Sequence, residues 1–276
     1  MCDTCGCGPE GGYKIFKPGE TNDEPKVTLA QNHHHHTHAD GSTHSHTHDH
    51  NHHHDHSHDK HSHTIDISQD ILGENNKMAE RNRGYFEAKG ILALNLVSSP
   101  GSGKTSLLVK TIQEAGNKFK SYVIEGDQQT DNDARRIAAT GVDVLQINTG
   151  NACHLDSNMV HEALHGLKPV ENSVVFIENV GNLVCPAMFD LGEKKRVVIF
   201  SITEGEDKPL KYPNMFHSSD ICIISKIDLL PHLDFDLELA KKNVLRVNPK
   251  TQIIEVSVKS GKGIESWVDC ISKLFK

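Results

Sequence analysis

The fold is decided by one stretch, Asn95-Leu-Val-Ser-Ser-Pro-Gly-Ser-Gly-Lys-Thr-Ser-Leu-Leu108. The apolar run at residues 91–97 has the length and branching of a buried parallel strand. A Gly-rich turn follows this run, and a helical pattern then covers residues 105–114. A strand, a Gly-rich turn and a helix in this order predict a phosphate-binding P-loop.

The residue types of this turn suit the binding of a nucleotide. Glycines let backbone N–H groups converge on phosphate oxygens, and the helix N-terminus adds the positive end of its dipole. We expect Lys104 to reach the β- and γ-phosphates and the Thr105 hydroxyl to bind Mg²⁺. The usual pattern begins with Gly, where this chain has Ser98, but the core of the motif is intact. The predicted phosphate contacts are Gly101, Ser102, Gly103, Lys104, Thr105 and Ser106.

The composition narrows the class of protein and its partners. The chain has 276 residues and a formal net charge of −8, without a Lys- or Arg-rich stripe, which argues against nucleic acid as a partner. No apolar run approaches the ~20 residues that span a bilayer, and the N-terminus lacks the apolar core of a signal peptide. We therefore expect a cytoplasmic protein, no membrane partner, and cysteines that are thiols rather than disulfides.

Three cysteines open the chain within six residues, at Cys2, Cys5 and Cys7. Joined by Gly, they are able to wrap one soft metal ion, either square-planar Ni²⁺ or tetrahedral Zn²⁺. Two later cysteines, Cys222 and Cys270, stand in an apolar strand and an apolar helix and are predicted to be core residues. The sequence thus predicts a metal site at the N-terminus.

A His-rich tract follows at residues 33–63, with 16 histidines and almost no apolar residues. Such a segment has nothing to offset the entropy of ordering, so we expect disorder. Many weak imidazole sites favour buffering or storage of Ni²⁺, Zn²⁺ or Cu²⁺, and their binding weakens as pH falls through ~6.5. We therefore divide the chain into a disordered metal-binding tail, 1–67, and a nucleotide-binding domain, 68–276.

Beyond residue 68 apolar strands alternate with helices. This alternation predicts an α/β domain with a mostly parallel sheet and helices on both faces, and a ligand at the carboxyl ends of the strands. The predicted strands are 91–97, 121–125, 144–147, 174–177, 197–202, 221–225 and 252–256. The predicted helices are 68–89, 105–114, 131–140, 156–167, 236–244 and 264–275.

Carboxylates stand where two predicted strands end. Asp127 is expected to hold Mg²⁺ directly or through water. Glu178 ends a segment that resembles a Walker B strand, with Glu in place of the commoner Asp. Gly181 would offer its backbone N–H to the γ-phosphate, so this loop is a candidate switch. The predicted catalytic set is Lys104, Thr105, Asp127, Glu178 and Gly181.

A second motif indicates which base is bound. Ser225-Lys226-Ile-Asp228 matches a guanine-binding pattern in which Asp accepts hydrogen bonds from N1–H and the exocyclic amine, while the Lys stem packs over the ring. Adenine presents the wrong edge and would leave the Asp desolvated without partners. Residues Ser257, Val258 and Lys259, after the next strand, are expected to contact the guanine O6. The pattern favours GTP over ATP.

Cys153, His154 and Cys185 do not belong to an ordinary nucleotide-binding domain. They form a candidate Ni²⁺ or Zn²⁺ site beside the candidate switch. Three ligands leave a tetrahedral or planar site incomplete, and a second copy across a two-fold axis would complete it. His161 would line the approach to this site, but a solvated helix face is the favoured interpretation of His161 and His165.

These residues, with the segments GDQQTDNDA, NTGNACHLD and FIENVGNLVCPA, resemble the HypB family of hydrogenase nickel-incorporation GTPases along nearly the whole chain. The resemblance implies a SIMIBI-type G domain that hydrolyses GTP, dimerises when GTP binds, and passes nickel to the [NiFe]-hydrogenase large-subunit precursor. It implies a small zinc-containing accessory protein (HypA) as partner. It also implies nickel at Cys2, Cys5 and Cys7, and a second metal site at Cys153, His154 and Cys185.

Three other functions compete with nickel insertion, and two of them belong to families whose metal motif this chain does not carry. One is a nickel storage protein whose G domain is mainly a dimerisation scaffold, which the His-rich tract favours. The related urease accessory GTPases carry a Cys-Pro-His metal motif, whereas this chain has Cys-His-Leu-Asp. Zinc-chaperone GTPases carry Cys-x-Cys-Cys within the G domain, and this chain lacks it there.

Overall fold

The computed structural model describes residues 12–19, 36–37, 43–44 and 60–275, with only the backbone described at 36–37, 43–44 and 60–69. The predicted metal site at Cys2, Cys5 and Cys7 lies outside the described residues. So does most of the His-rich tract.

The described residues form ten strands and eight α-helices. The strands are β1 Lys14–Phe16, β2 His36–Thr37, β3 Thr43–His44, β4 Leu92–Ser98, β5 Lys120–Asp127, β6 Asp143–Asn148, β7 Ser173–Glu178, β8 Lys195–Ser201, β9 Ile221–Ser225 and β10 Gln252–Glu255. The helices are α1 Lys60–Ala88, α2 Lys104–Ala115, α3 Asn132–Ala138, α4 Ser157–Leu167, α5 Lys208–Lys211, α6 Pro213–His217, α7 Leu237–Val247 and α8 Ile264–Phe275.

Eight strands form one sheet in the order β1-β6-β5-β7-β4-β8-β9-β10, and β2 pairs with β3 separately. Every pairing in the large sheet is parallel except that of β1 with β6. Strand β4 therefore lies at the centre, between β7 and β8. Its carboxyl end meets the ends of β5 and β7 at one edge, where the predicted nucleotide site falls.

Helices cover both faces of the sheet, as predicted for apolar parallel strands. Helices α2, α3 and α8 pack on one face, where Trp267 is buried and its Nε1 donates to Thr111 Oγ1 at 2.9 Å. Helices α1 and α4 cover one half of the other face, around Phe86 and Met159. Helices α6 and α7 cover the remaining half of that face. The predicted α/β P-loop fold is thus confirmed.

Several elements were not predicted. Residues Lys14–Phe16, within the segment assigned to the tail, form the antiparallel edge strand β1, with Ile15 opposite Ile147. Helix α1 begins at Lys60 rather than at residue 68, and the short helices α5 and α6 were not anticipated. The division at residues 67 and 68 stays a prediction. Within the described residues, no helix is long and apolar enough to cross a membrane.

Candidate functional site

The P-loop connects the central strand to α2. Strand β4 ends at Ser98 and α2 begins at Lys104. Gly103 precedes the helix with φ of 97°, a left-handed conformation that side chains disfavour, so the turn requires glycine here. The turn faces a cleft of about 530 Å³ whose lining includes the ends of β5 and β7 and the side chain of Lys226. A cleft of this size suits a nucleotide.

Thr105 lies between two carboxylates at the base of this cleft. Its Oγ1 is 2.7 Å from Glu178 Oε1 and 2.9 Å from Asp133 Oδ2. Lys104 Nζ lies 3.3 Å from the same Glu178 oxygen. The pairing of β4 with β7 sets this arrangement, since Leu96 is opposite Glu178. The predicted residues Lys104, Thr105 and Glu178 are therefore brought together.

Glu125 adds a further carboxyl group at the bottom of the nucleotide cleft. Burial, followed by the charges of Glu178 and Asp127, raises the pKa of Glu125 to about 9. Among the described residues, the Oε2 atoms of Glu125 and Glu178 have no hydrogen-bond partner. A bound cation would displace the proton of Glu125 and leave buried carboxylate oxygens beside a hydroxyl, which are ligands that Mg²⁺ prefers, so these side chains fit that ion. They would hold it below the phosphate-binding turn.

Two aspartates lie near Thr105, and only one of them, Asp127, is predicted from the sequence as a Mg²⁺ ligand. Asp127 lines the cleft, but its Oδ1 accepts a hydrogen bond from the backbone N–H of Gln129 at 3.0 Å. Asp133, in the first turn of α3, is the carboxylate that contacts Thr105. The sequence alone does not single out Asp133, because acidic residues are common in the first turn of any helix.

The guanine-binding motif lies beside the P-loop. Ser225 Oγ donates to Ser102 O at 2.7 Å, and Lys226 Nζ donates to Gly101 O at 2.7 Å. Ser257 Oγ donates to Asp228 Oδ1 at 2.6 Å. These bonds bring together the end of β9 and the loop after β10, which continues through the predicted residues Val258 and Lys259. The assignment of Asp228 as the residue that reads guanine stays a prediction.

Within the described residues, Cys153, His154 and Cys185 form the one group of three or more His, Cys, Asp or Glu side chains close enough to hold a metal ion together. Their ligand atoms all lie within 4.8 Å of one another, and the two sulfurs are 2.8 Å apart. His154 stacks on Phe189 with ring centroids 3.9 Å apart. Burial lowers the pKa of His154, which favours the neutral imidazole that binds metals. This donor set fits a Ni²⁺ or Zn²⁺ ion.

The other described cysteines are core residues, as predicted. Cys222 is fully buried in β9, and Cys270 is buried in α8. Burial raises the pKa of both thiols. A thiol that keeps its proton is neither a nucleophile nor a metal ligand.

One loop links the cleft to the metal cluster. It runs from Glu178, at the end of β7, to Cys185. A Cβ at Gly181 would lie 3.2 Å from Pro100 Cα, so the loop packs closely on the P-loop. The buried Asn179 accepts hydrogen bonds from the N–H groups of Leu155 and Val180, at 3.1 and 3.0 Å. Sequence analysis missed Asn179, whose role depends on tertiary contacts.

Comparison with known proteins assigns the family. A model described as the CobW/HypB/UreG nucleotide-binding domain matches residues 92–255. The hydrogenase maturation factor HypB of Azotobacter vinelandii is 58% identical over 207 residues, which are 75% of this chain and 68% of the relative. The chain belongs to the HypB family. HypB of Escherichia coli K12 is 52% identical over 205 residues, covering 74% of this chain and 71% of the relative.

Two solved HypB structures share this fold. HypB from Archaeoglobus fulgidus is 38% identical, with a TM-score of 0.70 over 74% of this chain and 100% of that chain. HypB from Helicobacter pylori, solved in complex with nickel, is 37% identical, with a TM-score of 0.70 over 73% of this chain and 95% of that chain. The predicted membership of the HypB family is therefore confirmed.

Proposed function

We propose that this protein hydrolyses GTP and uses the nucleotide cycle to deliver nickel during [NiFe]-hydrogenase maturation. The His-rich tract, 33–63, would add nickel storage, and Cys2, Cys5 and Cys7 would form a nickel site in the tail. The names of the relatives and the nickel complex of one of them support this role. GTP, Mg²⁺ and Ni²⁺ would be bound, with Zn²⁺ an alternative at Cys153, His154 and Cys185.

The observation that carries the proposal is the loop from Glu178 to Cys185. One end of the loop contacts Lys104 and Thr105, and its other end supplies a cysteine of the metal cluster. A γ-phosphate that attracts the backbone N–H of Gly181 would shift this loop and therefore move Cys185 relative to Cys153. Nucleotide alters metal affinity only through such a difference between two loop positions.

Hydrolysis would rest on positioning and charge. The Lys104 ammonium would move from Glu178 to the phosphates, and backbone N–H groups of the P-loop would hold the phosphate oxygens. When bound, Mg²⁺ supplies charge neutralisation at the phosphates. Glu178, Thr105 and Asp133 would orient that ion, and Gly181 would offer its N–H to the γ-phosphate. No covalent intermediate is needed.

The partners follow from the metal cluster. The three ligands found among the described residues leave a coordination shell incomplete, and a second copy in a GTP-dependent homodimer would complete it. The exposed apolar residues Val184 and Met188 lie beside Cys185 and would pack in such a contact. The proteins that exchange nickel with this chain would be a HypA-type zinc-containing accessory protein and the hydrogenase large-subunit precursor. All would act in the cytoplasm.

A transfer experiment tests the proposal. The nickel-loaded chain is mixed with metal-free large-subunit precursor, and nickel in the separated precursor is measured with GTP, GDP or a non-hydrolysable GTP analogue. We expect GTP to give the fastest transfer. Equal transfer with all three nucleotides would contradict the proposed role of hydrolysis.

The alternative function is nickel storage, favoured by the 16 histidines of the tract. Deletion of residues 33–63 separates the two roles. If storage is an added role, hydrogenase maturation persists when nickel is plentiful and fails when nickel is scarce. If storage is the main role, deletion removes most of the bound nickel while maturation does not depend on GTP hydrolysis.

A further inference from the structure

Two histidines on the outer face of α4 converge outside the sites already described. His161 and His165 are one helical turn apart, and their rings are perpendicular with centroids 4.6 Å apart. Their Nε2 atoms are separated by 3.1 Å. His161 is half-buried and His165 is exposed, so the pair faces solvent.

The amide of Asn82 fixes the tautomer of His161. Asn82 is fully buried in α1, and its Nδ2 donates to Ser157 O at 2.8 Å and to Leu191 O at 3.1 Å. Both amide protons are thus used, and Oδ1 must face His161 as an acceptor. His161 Nδ1 lies 3.1 Å from that oxygen and therefore carries the ring proton. Its Nε2, which lies 3.1 Å from His165 Nε2, is left with a lone pair.

An oriented imidazole of this kind is characteristic of metal ligands. Ligating histidines donate their second ring N–H to a protein oxygen, which sets the ring orientation and raises the basicity of the ligand nitrogen. Asn82 Oδ1 is the protein oxygen here. Asn82 belongs to α1, whereas His161 belongs to α4. This support distinguishes His161 from a histidine on a solvated helix face.

The separation of the two nitrogens fits one shared ion. Metal–nitrogen bonds of about 2.0–2.1 Å at angles between about 90° and 109° place two ligand nitrogens about 2.8–3.4 Å apart. The observed 3.1 Å falls in this interval. Burial, followed by the charges of Arg81 and His165, lowers the pKa of His161, which favours the neutral ring.

We propose that His161 and His165 bind one divalent transition-metal ion of the class that prefers imidazole, Ni²⁺, Cu²⁺ or Zn²⁺. The remaining coordination positions face solvent, so the ion exchanges readily with external ligands. The exposed His165 moves its proton to Nδ1 when the ion binds. The first turn of α4 separates this pair from Cys153 and His154, and the two sites share no ligand.

The competing interpretation is a plain hydrogen bond, in which His165 Nε2–H donates to His161 Nε2. Site-resolved acylation of the full chain with diethyl pyrocarbonate distinguishes the two. The reagent attacks unprotonated imidazole nitrogens, and peptide mass spectrometry measures the rate at each histidine. Free Ni²⁺ is fixed by a chelator buffer, so uptake by the His-rich tract does not deplete it.

We expect Ni²⁺ to slow acylation of His161 and His165 together, with one midpoint. At ten times that midpoint both rates should fall about tenfold by mass action. In His165→Ala, Ni²⁺ should change the His161 rate by less than about twofold, since one imidazole binds weakly. His232→Ala, which removes an exposed histidine from the 3₁₀ helix Ile227–His232, should keep the protection.

Any of three results would overturn the proposal. One is unchanged acylation of His161 and His165 at Ni²⁺ concentrations that protect the tract histidines. Another is protection of His161 that survives in His165→Ala. Protection that disappears in Cys153→Ser would also overturn it, because the ion would then belong to the Cys153 cluster.

Discussion

Lys104 lies between a buried carboxylate and the phosphate-binding turn, 3.3 Å from Glu178 Oε1. Lys104→Ala removes the cation that would stabilise charge on the transferred phosphoryl group. We expect GTP hydrolysis to fall at least about 100-fold, measured as phosphate release. The proposed nickel binding by Cys2, Cys5 and Cys7 should persist, because we assign these cysteines to a separate module.

A matched control for this variant is available on the same helix. Lys110→Ala removes an ammonium from α2 that lies 3.8 Å from Glu114 and outside the cleft. It should leave the rate of hydrolysis nearly unchanged. Normal hydrolysis by Lys104→Ala, or loss of tail nickel binding in the folded variant, would contradict the assignment.

Asp228 is predicted to read the guanine base. Asp228→Asn replaces an acceptor by a donor opposite the guanine amine, so affinity for GTP should fall about 100-fold or more. Xanthine, which presents a carbonyl there, should become the preferred base. Competitive binding of XTP and GTP measures the change. The exposed Asp234 provides the control Asp234→Asn, and an unchanged guanine preference in Asp228→Asn would refute the base assignment.

Glu125 makes stability depend on pH. Its pKa is about 9 in the fold and 4.5 when unfolded, so between these values the folded chain holds a proton that the unfolded chain has lost. The contribution of Glu125 to stability therefore falls as pH rises through this window. Glu125→Gln should be more stable than the parent protein, by about 1–3 kcal/mol near pH 7.

Urea unfolding of both proteins with EDTA, at several pH values between about 4.5 and 9, measures this difference. The extra free energy of unfolding of Glu125→Gln over the parent should be small at pH ~4.5 and should grow as pH rises toward ~9. A gain that is constant with pH would show that Glu125 titrates equally in both states.

At the scale of elements, the loop after β7 connects the two sites. Gly181→Ala places a Cβ 3.2 Å from Pro100 Cα and should displace the loop by a few tenths of an ångström. We expect hydrolysis to fall about 10- to 100-fold, because the γ-phosphate contact is misplaced. Phosphate release measures this loss.

The control for Gly181→Ala is Gly84→Ala in α1, where a Cβ meets nothing within 4 Å. It should leave hydrolysis unchanged and stabilise the fold by about 0.4–1 kcal/mol, since Ala restricts the unfolded chain. Full activity of Gly181→Ala would mean that the loop tolerates displacement and is not a switch.

The central strands and most long helices were predicted because their signals are local. Continuous apolar runs such as 174–177 mark buried parallel strands wherever they occur. Strand β1 has no such signal: Lys14–Phe16 is three residues long and is held by pairing with β6. Edge strands of this length depend on tertiary contacts, which one sequence does not display.

The residues of the candidate sites also fall into those that local motifs predict and those that depend on tertiary contacts. Lys104, Thr105 and Asp228 stand in motifs whose spacing carries their chemistry. Other features depend on contacts between residues distant in sequence. These are the contacts of Asp133 and of Asn179, and the hydrogen bond to Asn82 that orients His161. Asp and Asn are common at helix starts and in loops, so the sequence singles out neither Asp133 nor Asn179, and it favours a solvated helix face for His161.

At the scale of the whole molecule, the metal cluster is a candidate contact between two copies. The exposed fractions of Val184 and Met188 are each 55%, and both residues flank the buried Cys185. Closure of the loop by GTP would bring this apolar surface and its cysteines to a two-fold axis. Nucleotide, oligomer and metal should then change together.

The central claim, that nucleotide controls the metal cluster, is tested by nickel–thiolate absorption. The full chain is used with Cys2, Cys5 and Cys7 replaced by Ser, so that the absorption reports Cys153 and Cys185. Spectra and sedimentation are recorded with GDP, GTP and a non-hydrolysable GTP analogue. We predict that nickel occupancy and dimerisation change together when the γ-phosphate is present. Occupancy that is the same with all three nucleotides would contradict the coupling and favour the storage function.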